Sequence, residues 1–82
     1  MDAESSDKRR NEGTAARYAN YFEIGHNVGE FILDFGQAYS QAGERPIHTR
    51  IVTSPAYIKA LLRLLGAAVE RHEQVYGEIR EE

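Results

Sequence analysis

The sequence predicts an α+β chain, with a three-stranded antiparallel sheet followed by one long C-terminal helix in the order β-β-β-α. Three observations carry this expectation. First, Arg50-Ile51-Val52-Thr53-Ser54-Pro55 runs directly into Ala56-Tyr57-Ile58-Lys59-Ala60-Leu61-Leu62. A β-branched run there meets a hydroxyl cap, a proline in the first helical turn and an apolar period of about 3.6 residues. Second, two earlier runs rich in aromatic and aliphatic residues are separated by Asn27-Val28-Gly29, a turn signal. Third, Gly77 stands where a helix C-terminus favours glycine.

Residues 1–16 hold no apolar residue beyond alanine and the first methionine. Asp2, Glu4, Asp7 and Glu12 nearly balance Lys8, Arg9 and Arg10, which is the composition of a disordered polar leader. A single domain is expected over 17–79, with a charged tail at 80–82. Eighty-two residues bury only roughly 60 to 65% of their unfolded surface. Such chains usually need disulfides, a metal or self-association. The sequence has no cysteine, so disulfides and thiolate zinc sites are excluded and self-association is favoured. A net charge of -3 argues against general affinity for nucleic acid or anionic membrane. The polar N-terminus and the lack of a long apolar run predict a cytoplasmic chain.

The first strand is expected within Tyr18 to His26, the second over Glu30 to Phe35 and the third over Ile47 to Thr53. A longer loop covers Tyr39 to Pro46. If the hairpin closes symmetrically about Val28, and Asp34 lies opposite Arg50, one face carries Tyr21, Phe31, Leu33, Phe35, Ile47 and Ile51. The other then carries Phe22, Ile24, Ile32 and Val52 among Asp34, Arg50, His26, Glu30 and His48. Both faces would be apolar, yet one helix covers only one. A homodimer would cover the other.

The helix is expected from Pro55 to Tyr76, capped by Ser54. Ile58, Leu61, Leu62, Leu65, Val69, His72 and Tyr76 form one stripe at 100° spacing. Ala60, Leu64, Ala67, Ala68 and Val75 form a second, alanine-rich patch suited to close approach of another helix, the candidate oligomer interface.

The series Asn20, His26, Glu30-Phe31, Asp34-Phe35, Arg50-Ile51, Ser54-Pro55, Lys59, Leu61-Leu62, Leu65 and Gly77-x-Ile79 resembles a family of small prokaryotic proteins termed domain of unknown function 3467. The E-F-x-x-D-F and R-I-x-x-S/T-P blocks carry the resemblance, which extends from about Tyr18 to Ile79. His72 departs from it, standing where an aromatic residue is frequent. The resemblance implies one strand-strand-strand-helix unit and brings no catalytic residue or cofactor.

The polar cluster of Asp34, His48 and Arg50 is the best candidate for chemistry. A carboxylate beside a histidine would make a base with its orienter, and arginine would hold an anion in its fork. The alternative reading is an ion pair that fixes strand register. His26 and Glu30 across the hairpin mouth would be two ligands of a metal site, or simply a pair that steadies the turn. Gly25, Gly29 and Gly36 have no phosphate-loop spacing. The aromatics Tyr21, Phe22, Phe31 and Phe35 would suit base stacking, but the basic residues needed to track phosphates are missing beside them.

No catalytic, cofactor or metal residue is therefore assigned. The expected function is a non-enzymatic homo-oligomeric, first of all dimeric, interaction or scaffold module that engages a further protein partner. Two alternatives stand beside it. One is a nucleic-acid-associated regulator using Lys8-Arg9-Arg10. The other is a small-ligand or metal-dependent site at a subunit interface around Asp34, His48 and Arg50.

Overall fold

The structure, a computed structural model, describes residues 13–38 and 43–81. The Lys8-Arg9-Arg10 cluster, most of the polar leader, and Ser40 and Gln41 of the long loop lie outside them. Strands β1 (Tyr21–His26), β2 (Phe31–Gly36) and β3 (Ile47–Thr53) precede helix α1 (Pro55–Tyr76). They form one antiparallel sheet in the order β1-β2-β3. The β-β-β-α architecture and both ends of the helix are those the sequence predicts.

The helix ends are fixed locally. The Tyr57 N–H donates to Ser54 Oγ at 3.2 Å and the Ile58 N–H to the Ser54 carbonyl at 3.0 Å, while Pro55 opens the first turn without needing a partner. At the other end Gly77 adopts φ 96°, a left-handed value that glycine tolerates best, and its N–H donates to the Glu73 carbonyl at 2.9 Å. The Glu73 carboxylate takes the Ile79 N–H at 3.0 Å.

The hairpin register differs from the symmetric closure about Val28. Tyr21 pairs with Gly36, Phe22 with Phe35, Ile24 with Leu33 and His26 with Phe31, so the turn centres between Val28 and Gly29. Asn27 is the cause. Its Oδ1 accepts the N–H groups of both Gly29 and Glu30 at 2.9 Å, and its own N–H donates to the Glu30 carbonyl at 3.0 Å. A one-residue slip carries every β1 side chain to the opposite face. Phe22, Ile24 and His26 therefore join Phe31, Leu33, Phe35 and Ile51, and Tyr21 moves to the face of Asp34 and Arg50. The Phe22 and Phe35 rings meet edge to face at 5.8 Å, and His26 stacks on Phe31 at 5.3 Å. His26 thus faces Phe31 rather than Glu30, which lies in the turn, and the expected His26–Glu30 pair is not formed. Apolar groups are concentrated on one face, and the other is mixed.

The β2–β3 register keeps Asp34 opposite Arg50. It is interrupted once: Phe35 faces Thr49 while Gly36 faces Ile47, which leaves His48 as the extra residue of a bulge. Ile47 accordingly leaves the face of Phe31 and Ile51. A Cβ on Gly36 would lie 2.2 Å from the Pro46 carbonyl oxygen, so only glycine lets the returning chain come this close. Asn20 closes the same end of the sheet. Its Oδ1 accepts the Ala38 N–H at 2.7 Å, its Nδ2 donates to the Ala38 carbonyl at 3.4 Å, and its backbone N–H reaches the Gly36 carbonyl at 3.0 Å.

Among the described residues no hydrophobic side chain is buried. The helix leaves β3 at Ser54 and does not pack down on the sheet; strand-to-strand contact dominates the fold.

Removing the Ser54 cap (Ser54→Ala) should cost about 1 kcal/mol of stability, read from the midpoint of urea unfolding. Gly36→Ala should prevent folding or lower the melting temperature far more than Gly25→Ala, because an added Cβ at Gly25 meets nothing within 4 Å. Equal melting temperatures for the two variants would contradict the close approach at Pro46.

Candidate functional site

The polar face is organised in one row across the sheet. Register places Glu23, Asp34 and Arg50 side by side on β1, β2 and β3. Arg50 forks onto the carboxylate, with Nε donating to Oδ1 at 2.7 Å and Nη2 to Oδ2 at 2.8 Å. Asp34 sits on the central strand and is 7% exposed, whereas the Arg50 side chain is 65% exposed. The two hydrogen bonds from Arg50 hold the Asp34 carboxyl below the usual aspartate range, against the opposing effect of burial. Arg50 is held more firmly protonated in return. Beside them the Tyr21 hydroxyl donates to the Glu23 carboxylate, which raises the tyrosine's pKa, and the Arg45 guanidinium lies over the Tyr21 ring at 5.4 Å.

His48 does not complete this cluster. As the bulge residue it turns to the end of the sheet, where Nε2 lies 2.9 Å from the Tyr18 carbonyl and Nδ1 2.7 Å from Thr49 Oγ1. A carbonyl only accepts, so Nε2 carries a proton, and in the neutral ring Nδ1 accepts from the Thr49 hydroxyl. The expected triad resolves into an ion pair, Asp34–Arg50, and a separate strap, His48–Tyr18. Sequence pattern alone gives no signal for a one-residue bulge.

The larger feature lies on the opposite face. Phe22, Ile24, Phe31, Leu33 and Phe35 of the sheet, with Ile58, Leu61, Leu62 and Leu65 of the helix, wall an open groove of about 610 Å³. Phe22 is 58% exposed, Ile24 63%, Leu62 66% and Leu65 57%. This groove was hidden in the sequence by the register of β1. The signal for it was Asn27, whose side chain favours a turn pinned by its own backbone-directed hydrogen bonds. The second helical patch is also uncovered: Leu64, Ala67, Ala68 and Val75 are exposed and Ala60 is half-buried. His72, on the first stripe, rests on Tyr76 at 4.7 Å between ring centres.

A family model described as a protein of unknown function, DUF3467, matches residues 3–81. The chain belongs to the DUF3467 family. No curated protein and no solved structure matches it. No helix among the described residues is long and apolar enough to cross a membrane. Membership in DUF3467, a family of unknown function, brings no activity with it.

Because the Asp34 pKa is lowered by folding, the Asp34–Arg50 pair stabilises fully above the ordinary aspartate range and is lost as pH falls through the lowered value. Melting temperature should fall as pH drops through the ordinary aspartate range and below it, and the fall should be shallower in Asp34→Asn. Parallel curves for the two proteins would remove the ion pair as a source of acid sensitivity.

Proposed function

We propose that this DUF3467 protein is a non-enzymatic, homodimeric interaction module. The observation that carries the reading is the uncovered apolar groove between sheet and helix. Its Phe22, Ile24, Leu62 and Leu65 side chains are each more than half exposed, apolar surface that a second copy would cover. Burying a phenylalanine or leucine side chain stabilises by about 1.5–3 kcal/mol relative to leaving it in water, so a second copy that dries the groove is the simplest completion of the core.

The non-enzymatic part of the reading is supported by how the polar residues are engaged. Both Asp34 oxygens are taken by Arg50, and both His48 nitrogens are taken by Tyr18 and Thr49. A dimer closed through the groove leaves the mixed face outward, with Tyr21, Arg45 and Arg50 on or beside it. Tyrosine and arginine are residue types that protein partners favour.

Light scattering of the eluting full-length chain should give twice the 9.3 kDa mass. Placing charge in the groove with Leu62→Glu and Leu65→Glu together should give single chains. A wild-type mass of one chain, or an unchanged dimer in the double variant, would remove the reading.

A further inference from the structure

Resting on the dimer reading above, we infer that the two copies cross their α1 helices antiparallel at Gly66, the charged arc of each helix matched to that of the other. Gly66 is the first reason. It stands in the interior of the helix on an exposed side, where glycine is less favourable than alanine. Its backbone is ordinary helix, and a Cβ there would meet nothing within 4 Å. Nothing inside one chain requires the missing side chain. A glycine in such a place lets a second backbone come close.

The charges around Gly66 are the second and independent reason. At 100° per residue, Lys59, Arg63, Gly66, Glu70 and Glu73 fall within one arc of about 80°. The two bases precede the glycine and the two acids follow it. Lys59 and Arg63 stand about one helical turn apart, as do Glu70 and Glu73, so each like pair repels within its own helix. Glu73 also lies in the last turn, where the helix dipole disfavours an acid, and its Oε2 accepts the Ile79 N–H at 3.0 Å. Among the described residues Lys59, Arg63 and Glu70 belong to no ion pair. An antiparallel second copy answers each of these points. A two-fold axis at Gly66 sets Lys59 level with the partner's Glu73, and Arg63 within one residue of the partner's Glu70. The same axis repeats both matches, so one self-complementary surface closes on itself. A parallel copy would instead set base on base and acid on acid. Leu62, 66% exposed, and Val69 border the arc on its groove side. The crossing therefore dries apolar surface while the charges choose direction and register.

Full-length chains carrying Lys59→Glu with Arg63→Glu, or Glu70→Lys with Glu73→Lys, should each elute as single chains with the helical circular dichroism signal of the wild type. Mixed in equal amounts, the two variants should return to a mass of two chains, one of each kind. Gly66→Ala supplies a second measurement that misfolding cannot imitate, because alanine favours the helix itself. Its Cβ should hold the backbones apart and raise the dissociation constant of the pair by roughly tenfold or more. Three results overturn the crossing and leave the dimer through the groove standing, provided the wild type is a dimer. They are a charge variant that keeps the two-chain mass alone, a mixture that fails to pair, and a Gly66→Ala chain that pairs as tightly as the wild type. A wild-type mass of one chain overturns both.

Discussion

Asn27 holds the turn between β1 and β2 through two hydrogen bonds accepted by one side-chain oxygen. Because strand side chains alternate, the position of this turn decides which way every residue of β1 points. With the turn centred between Val28 and Gly29, three strands contribute apolar groups to a single face, and Phe22 meets Phe35 across it. Centred one residue away, the same sequence would split those groups between two faces and neither would form a groove. The large apolar cleft of this protein thus depends on a small polar side chain at the far end of the sheet.

The second constraint is the charged row. Glu23 and Asp34 are like charges on adjacent strands, an arrangement that repels unless compensated. Arg50 supplies compensation to Asp34 through its fork, and the Tyr21 hydroxyl gives Glu23 a donor. Only one pairing of β2 with β3 brings the fork onto the carboxylate, so the row also fixes register where the apolar face alone would allow sliding. The two faces have separate tasks: the polar row aligns the strands, and the apolar side presents what the alignment assembles.

Much of this was legible in the sequence because it is local. The helix bounds follow from Ser54, Pro55 and Gly77, each of which acts within a turn of its own position. The pairing of Asp34 with Arg50 follows from charge. The β1 register was not legible, because it turns on whether Asn27 closes the hairpin with its side chain or its backbone. His48 was misplaced for a similar reason: a bulge adds one residue to a strand without altering the hydrophobic pattern that announces the strand. The angle at which α1 leaves the sheet was also beyond the sequence pattern. Periodicity names the apolar stripe of a helix but not the surface it faces, and so the groove appeared only in three dimensions.

Among the described residues, the sheet in the order β1-β2-β3 has two edge strands, β1 and β3, whose outer backbone donors and acceptors pair with no further strand. Such borders invite strands from other chains and, with them, fibrous aggregates. Here β1 carries Glu23 at its middle and is only six residues long, while β3 carries Arg50 and is bent at its start by the His48 bulge. These features discourage endless edge-on growth, which has no natural stopping point. The stickiest surface is instead a concave cleft, whose filling has a finite capacity. In the dimer proposed above, the geometry that attracts a companion also limits how many copies the cleft takes.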